Sequence, residues 1–313
     1  MVCEACGFDA GPEDAFCEGC GRRLGGSDTA SSAGALPAGA GCPCGATARD
    51  AEGYCLSCGR KAPGVRASES EAVDATLAWV SDQGRIHTEN QDAAGVLRLG
   101  DGTVVLVVSD GVSSADRAAE ASRLAVRTIL ARAQGGIAAP EIWLSEAIAE
   151  AHAALLTMAR ADQRKDDPQA TVVVAVVRDA MAWYGWLGDS RLYLLHAAGN
   201  AQLTVDDSWA NEAIASGLPT SLAMQAEYAH CITQCLGMRE SAPAIHVGQR
   251  PIPATGTLLL CSDGLWNYLP EPDLLAEVAA GNSIDAVVRC QTLVDRANAA
   301  GGADNISAAL LQC

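Results

Sequence analysis

Residues 104–111 read VVLVVSDG, a run of apolar side chains that ends in Ser109, Asp110 and Gly111. An apolar run without polar alternation predicts a strand that is buried on both faces. Three other stretches share this texture: TVVVAVV at residues 171–177, WYGWL at 183–187 and LLLCS at 258–262. These four stretches therefore predict the central strands of one hydrophobic core.

Helical segments lie between and after these strands. Apolar residues recur at helical spacing over residues 116–133 and 141–160, and Pro140 is placed to begin the second helix. A further pair of helices is predicted at about residues 271–280 and 284–299. Strands in the middle and helices in consecutive pairs predict a layered sandwich of sheets and helices.

Aspartates mark the ends of the predicted strands. They are Asp110-Gly111 after VVLVVS, Asp189 after WYGWLG, Asp263-Gly264 after LLLCS, Asp304-Asn305 before ISAALL, and Asp92 at the end of the stretch that begins at Ser81. A single Asp-Gly pair usually marks only a turn. Several strand ends that each carry a carboxylate favour an oxygen-ligand site for a hard cation such as Mg²⁺ or Mn²⁺.

The chain contains a series of short motifs in a fixed order. They are NQD at residues 90–92, VVSDG at 107–111, LGDSR at 187–191, QLTVDDSW at 202–209, ITQCLG at 232–237, LLLCSDGLW at 258–266 and ADNIS at 303–307. This order resembles the metal-dependent protein phosphatases of the 2C type, especially the compact bacterial members. The resemblance implies an α+β fold, a four-layer α-β-β-α sandwich in which two antiparallel sheets are flanked by helix pairs. It also implies a serine/threonine protein phosphatase.

The resemblance implies a role for each aspartate. Asp110 would bridge two Mn²⁺ or Mg²⁺ ions, and the carbonyl of Gly111 would complete the shell of one ion. Asp263 and Asp304 would hold the second ion, and Asp189 with Asp263 would form a weaker third site. A water that bridges two divalent cations is far more acidic than bulk water, so hydroxide is available near neutral pH.

The resemblance also assigns residues around the metals. Asp92 would hydrogen-bond the metal-bound water, and residues 211–230 correspond to the mobile flap that shapes substrate access. His87 occupies a position where the family usually has an arginine that clamps the substrate phosphate with two hydrogen bonds. Arg85 lies two residues earlier. Residues 112–114, Val-Ser-Ser, replace the glycines that are usual there. Both departures can lower activity or alter substrate choice, and neither removes a metal ligand.

The first 60 residues contain two similar cysteine patterns. The first consists of Cys3, Cys6, Cys17 and Cys20, and the second of Cys42, Cys44, Cys55 and Cys58. Each half is too small to bury a core, and four thiolates around a tetrahedral Zn²⁺ can hold such a segment. Residues 1–60 therefore predict a double zinc ribbon with two structural zinc ions, and the alternative is a reduced, metal-free tail. Residues 61–74 are predicted as a linker to a catalytic domain at 75–313.

Composition narrows the class of protein. Of 313 residues, 49% are apolar and 19% are charged, which is typical of a globular protein. No apolar run approaches the roughly 20 residues of a membrane span, and no signal peptide precedes the cysteines, which favours a cytoplasmic protein. The net charge of −17 argues against a nucleic-acid surface. The expected partners are a phosphoprotein substrate of a serine/threonine kinase and a protein that binds the ribbons.

Two other functions remain open from the residues alone. One is a weakly active phosphatase-fold module that binds phosphoproteins and is recruited through its ribbons. The absence of the usual arginine favours this scaffold, whereas the presence of all five aspartates favours an enzyme. The other places the main role in the ribbons, as an adaptor to which the phosphatase is delivered.

Overall fold

The computed structural model describes residues 67–115, 117–162, 167–239, 242–280 and 285–313. The eight cysteines that are predicted to hold zinc lie outside the described residues. So do residues 61–66 of the predicted linker. None of the described helices is long and apolar enough to cross a membrane.

The strands and helices predicted from the sequence occur in the expected order, among further elements. The strands are β1 (Ser68–Asp74), β2 (Leu77–Asp82), β3 (Asp92–Arg98), β4 (Val104–Asp110), β5 (Val172–Arg178), β6 (Met181–Leu187), β7 (Arg191–Leu195), β8 (Ala201–Gln202), β9 (His246–Pro251), β10 (Thr257–Cys261) and β11 (Ile306–Gln312). The helices are α1 (Ala118–Ala133), α2 (Pro140–Asp162), α3 (Trp209–Ala215), α4 (Thr220–Ala223), α5 (Asp263–Trp266), α6 (Pro272–Ala280) and α7 (Ala286–Ala300).

The described strands form two antiparallel sheets. One has the order β1-β2-β11-β10-β7-β8, and the other has the order β3-β4-β5-β6-β9. Helices α1 and α2 pack on the second sheet, and α6 and α7 pack on the first. The expected two antiparallel sheets with helices are therefore confirmed.

The continuous apolar run of β4 serves two different cores. Val105 and Val107 pack against α1 and α2, whereas Val104, Leu106 and Val108 pack against the facing sheet. Successive side chains of a strand point to opposite faces, so a strand between two apolar layers needs no polar alternation. Residues 104–108 are all apolar because β4 lies between these two cores, in the middle of the sandwich.

The first strand lies inside the range that was predicted as a linker. Residues Ser68–Asp74 form β1, which pairs antiparallel with β2 along the edge of the first sheet. All seven side chains of β1 are exposed, so the strand has no apolar pattern. Main-chain pairing with β2 holds it in place, and this interaction leaves no signal in side-chain composition. The sheet therefore begins before residue 75.

Candidate active site

The five predicted aspartates lie where strands of the two sheets begin or end. In the second sheet, Asp110 ends β4 and stands directly opposite Asp92, the first residue of β3. In the first sheet, Asp263 follows β10, and Asp304 precedes the neighbouring strand β11. Asp189 lies in the turn between β6 and β7. Side chains that are directly opposite on antiparallel strands share a face and approach closely.

Burial and mutual repulsion raise the pKa values of Asp92, Asp110, Asp189 and Asp263. Burial and the charges of Asp263 and Asp304 raise the pKa of Asp92 to about 7. Burial and the charge of Asp304 raise the pKa of Asp263 to about 6. The pKa values of Asp110 and Asp189 lie well above the usual range, chiefly because both groups are buried and also because Asp263 is near. A cation among these carboxylates would relieve both effects.

Several oxygens of this aspartate cluster lack a partner. Within the described residues, Oδ1 of Asp92, of Asp189 and of Asp263 is buried and accepts no hydrogen bond. Buried polar atoms are nearly always paired, so three such oxygens on neighbouring carboxylates fit a site for a positively charged group.

The aspartate cluster does not provide a complete ligand shell for an ion. In the part of the chain that the structure describes, no three Asp, Glu, His or Cys side chains are grouped so that they could hold one ion on their own. Mg²⁺ usually keeps several waters and takes only one or two carboxylates from a protein. The free oxygens of these carboxylates suit a cation that also keeps water ligands.

A buried chain of hydroxyl groups orients Asp92. Its Oδ2 accepts a hydrogen bond from Ser262 Oγ at 2.6 Å, and Ser262 Oγ in turn accepts from the main-chain N–H of Ser307 at 3.0 Å. Ser307 Oγ donates to Ser81 Oγ at 2.7 Å, and Asn90 Nδ2 donates to the same oxygen at 2.9 Å. The chain fixes the direction of the free Asp92 Oδ1. No role was predicted for these groups from the sequence, although Ser262 and Ser307 lie within the SDG and NIS motifs.

Asn305 connects residues 83–91 with the segments that carry Asp263 and Asp304, beside the aspartate cluster. Its Oδ1 accepts a hydrogen bond from Gln91 N at 2.8 Å, and its Nδ2 donates to the carbonyls of Gln83 and Glu89 at 2.8 and 3.0 Å. The main chain of Asn305 also lies against Gly264, where an added Cβ would stand 2.0 Å from the Asn305 carbonyl oxygen. Gly264 thus permits a close approach between the segments that carry Asp263 and Asp304.

Gly111 has a similar steric reason to be glycine. An added Cβ would lie 2.4 Å from the carbonyl oxygen of Ala118 and 2.8 Å from that of Gln91. The N–H of Gly111 donates to Gln91 O at 3.1 Å. The next residues, 112–114, remain ordered by contacts of their own, since Val112 N donates to Gln169 O at 3.0 Å and Ser113 Oγ donates to Gln91 Oε1 at 2.9 Å.

Arg191 supports the turn that carries Asp189. Its guanidinium makes bonds to both carboxylate oxygens of Asp206 and lies 3.6 Å above the ring of Trp266. Trp266 Nε1 donates to the main-chain oxygen of Asp189 at 3.0 Å. Because Asp206 and Trp266 already engage its guanidinium, Arg191 acts here as a structural cation.

His87 lies next to the aspartate cluster. Its Nε2 is 3.2 Å from Asp304 Oδ1, and about a third of its side chain is exposed. The side chain of Gln83 donates to the carbonyl of His87 at 2.6 Å and fixes the local main chain. Arg85 is exposed, and its N–H donates to Gly302 O at 2.7 Å. Both basic residues of the first motif therefore lie on the segment beside Asp304.

The segment that was predicted as a flap folds as two short helices and turns. Residues 211–230 include most of α3 and all of α4, and Ala210, Ala223 and Ala229 form a small core of their own. Ser208 begins α3, since its Oγ accepts from Asn211 N at 3.4 Å. Whether this segment covers substrate remains a prediction.

Comparison with known proteins places this fold and site in a class. A family model described as protein phosphatase 2C matches residues 84–297. The serine/threonine phosphatase stp of Listeria welshimeri is 29% identical over 238 residues, which cover 74% of this chain and 93% of that protein. The solved S. agalactiae serine/threonine phosphatase has a TM-score of 0.65 and 23% identity, and the match covers 79% of this chain and 99% of that one. The catalytic domain of the phosphatase PstP, solved in complex with two manganese ions, has a TM-score of 0.62 and 22% identity, with 79% and 97% coverage.

The two antiparallel sheets with their flanking helices, together with these similarities, define the class as a phosphatase of the 2C type. The chain belongs to the protein phosphatase 2C family, because the family model matches more than half of it. The expected enzyme class, a phosphoprotein phosphatase, is thereby confirmed. A weakly active scaffold is not favoured, since the relatives are named as phosphatases.

Proposed function

We propose that this protein removes phosphate from phosphoserine and phosphothreonine in other proteins, with two divalent metal ions bound at the aspartate cluster. The observation that carries the proposal is the set of buried and half-buried, mutually repelling carboxylates at the strand ends, three of which have a free oxygen. Mn²⁺ and Mg²⁺ are hard cations that prefer such ligands. The naming of family relatives as serine/threonine phosphatases supports the substrate class.

Each aspartate is assigned a part in this proposal. Asp110 and the carbonyl of Gly111 would bind metal at the end of β4. Asp263 and Asp304 would bind the second ion from the first sheet. Asp189 and Asp263 would bind a weaker third ion. When bound, the cations acidify water and neutralise the phosphate charge. The acidic protein would otherwise repel its substrate.

Asp92 has a different part because its two oxygens differ. Ser262 holds Oδ2, whereas Oδ1 is buried and free. The free oxygen would accept a hydrogen bond from the attacking water and orient it toward phosphorus. Fixed orientation of this kind is a large part of what an active site contributes to rate.

The three buried cysteines of the described residues do not suit the alternative chemistry of a thiolate nucleophile. Burial raises the pKa of Cys235 to about 12, and burial also raises the pKa values of Cys261 and Cys290. A thiol with a raised pKa is a poor nucleophile at neutral pH. The proposed attack by water requires no thiolate, so these three cysteines have no part in it.

Phosphate release from peptides tests the proposed activity. With Mn²⁺ present, the full chain should dephosphorylate a phosphoserine and a phosphothreonine peptide faster than the matching phosphotyrosine peptide, and a chelator should stop the reaction. Activity that persists after removal of divalent metal, or a preference for phosphotyrosine, would contradict the proposal.

We also propose that His87 contacts the substrate phosphate in place of the usual arginine. The proposal is supported by its position 3.2 Å from Asp304, at a partly exposed edge of the cluster. An imidazole offers one donor where a guanidinium offers a fork of two. His87→Arg should therefore lower the KM for a phosphopeptide, and His87→Ala should raise it by roughly tenfold, the loss of one charge-assisted hydrogen bond of about 1.5 kcal/mol.

Arg85 is the competing candidate for this contact. If KM is unchanged in both His87 variants and rises in Arg85→Ala, the phosphate contact belongs to Arg85. If all three variants leave KM unchanged, neither residue of the first motif binds phosphate, and both assignments are wrong.

We further propose that residues 1–60 bind two Zn²⁺ ions through their eight cysteines and recruit a protein partner. Elemental analysis of protein purified without chelator should find about two zinc ions per chain, as two four-thiolate sites require. Deletion of residues 1–60 should leave hydrolysis of a small aryl phosphate unchanged. It should alter dephosphorylation of a cytoplasmic protein that a serine/threonine kinase has phosphorylated. A zinc-free protein would overturn the ribbon assignment.

A further inference from the structure

Gly188 is the residue before Asp189, and its conformation directs that carboxylate. Its φ is +102°, in the region that favours glycine, and an added Cβ would lie 2.8 Å from the side chain of Thr171. Asp207 hydrogen-bonds with both main-chain groups of Gly188, its N–H and its carbonyl oxygen. The N–H of Gly188 donates to Asp207 Oδ2 at 2.8 Å, and the N–H of Asp207 donates to Gly188 O at 3.0 Å.

Asp207 is itself held by His246. Asp207 is buried, and its second oxygen, Oδ1, lies 2.7 Å from His246 Nε2. The imidazole stacks on the ring of Trp186, with 4.8 Å between centroids and 21° between planes. Trp186 pairs with His246 across β6 and β9, and its Nε1 donates to Val205 O at 2.8 Å.

These contacts form a closed ring that connects three parts of the chain. β6 contributes Trp186 and the turn at Gly188, the segment after β8 contributes Asp207, and β9 contributes His246. No member of the ring points an unpaired oxygen into the aspartate cluster, so the ring is not a set of metal ligands. Its effect on the cluster passes through the main chain of Gly188.

We propose that Asp207 and His246 are positioning residues that hold the Gly188–Asp189 turn in the conformation needed for metal binding. The proposal rests on the proposed function, in which Asp189 is a ligand. Residues that orient a metal ligand typically change metal affinity by about 10- to 100-fold when they are replaced. Asp207 does this by fixing both peptide groups of Gly188, and His246 does it by holding Asp207.

Asp207→Ala removes the acceptor for Gly188 N–H and the partner of His246. We expect Mn²⁺ affinity, measured by calorimetry on the full chain, to fall by about 10- to 100-fold. The activity lost at low Mn²⁺ should return in part when Mn²⁺ is raised. Amide hydrogen exchange of the metal-free protein should become faster at Gly188, because its N–H loses its acceptor.

Variants of His246 keep the proposal testable if Asp207→Ala does not fold. His246→Ala should change exchange at Gly188 and Mn²⁺ affinity in the same direction as Asp207→Ala but by less. His246→Gln should stay near the wild type, because its side-chain amide can donate to Asp207 Oδ1. Asp74→Ala is the matched control, since it breaks the ion pair between Asp74 and Arg98, at 2.9 Å, away from the cluster.

The outcomes separate this proposal from the proposed function. Unchanged exchange at Gly188 in both Asp207→Ala and His246→Ala, or an affinity loss no larger than in Asp74→Ala, would overturn the positioning role. A lower melting temperature with an unchanged Mn²⁺ affinity would also overturn it, because that result indicates a role in stability alone. A wild-type chain without metal-dependent hydrolysis would contradict the proposed function, and exchange at Gly188 would still decide whether Asp207 holds the turn.

Discussion

Asp263→Asn is expected to abolish hydrolysis of phosphopeptides. The charge of Asp263 acts on three of the other four aspartates, and Asp263 is assigned to two of the three proposed ions. The substitution removes the charge and changes the volume very little. Loss of several kcal/mol of metal-based stabilisation corresponds to a fall in kcat/KM of at least roughly 10³-fold. The rate of phosphate release at saturating Mn²⁺ measures this fall in kcat/KM.

The same substitution should make the metal-free protein more stable. Burial and the nearby charge of Asp304 raise the pKa of Asp263 to about 6, so the ionised carboxylate is unfavourable at pH 7 when no cation is bound. A carboxyl group whose pKa is raised by folding lowers the stability of the folded state at pH values above its normal pKa. Asparagine has no such cost. Thermal unfolding in the presence of a chelator should therefore show a higher melting temperature for Asp263→Asn than for the wild type.

Asp101→Asn provides the control for charge. Asp101 is exposed, its Oδ1 accepts from Thr103 N at 2.9 Å, and an asparagine oxygen can accept the same bond. This variant should keep full activity and gain no stability in chelator. If Asp263→Asn retains activity, or if it is less stable than the wild type without metal, the assignment of Asp263 to a metal site is wrong.

The sandwich was predictable because its central strands are apolar on both faces. Residues 104–108 and 172–177 signal burial between two layers, and Pro140 begins α2 as predicted. β1 could not be predicted in this way, because its side chains are all exposed and it is defined by main-chain pairing with β2. Local composition therefore predicts elements that bury side chains and misses a strand whose side chains are all exposed.

The aspartates were predictable as members of a site, but the groups that orient them were not. Ser262, Ser307 and Asn305 act through contacts with residues that are far away in the sequence. No pattern in the sequence around a serine or an asparagine predicts such a contact. The contact between His87 and Asp304 could not be predicted either, because the two residues lie more than 200 positions apart in the sequence. Gly111 and Gly264 were predictable as turn residues, but the close approach of protein main chain that they permit was not.

Gly264→Ala is expected to separate the segments that carry Asp263 and Asp304. A Cβ at residue 264 would lie 2.0 Å from the carbonyl oxygen of Asn305 and 2.9 Å from its carbonyl carbon. These are main-chain atoms, so no rotation of a side chain can relieve the contact. The hydrogen bonds of the Asn305 side chain to Gln91, Gln83 and Glu89 oppose any shift of Asn305. The strain must therefore move the main chain at Asp263 or at Asp304.

The expected result of Gly264→Ala is a loss of both stability and activity from one added methyl group. Overpacking of a well-packed region typically costs about 1–3 kcal/mol, and displacement of a catalytic group by about 1 Å can cost roughly 10²-fold in rate. Gly100→Ala is the matched control, because no atom lies within 4 Å of its added Cβ, and it should change neither quantity. Thermal unfolding and kcat/KM at several Mn²⁺ concentrations measure both effects. Because the substitution alters spacing rather than charge, raised Mn²⁺ should restore part of the activity, whereas Asp263→Asn should stay inactive. Wild-type activity in Gly264→Ala would mean that the spacing between Asp263 and Asp304 does not control catalysis.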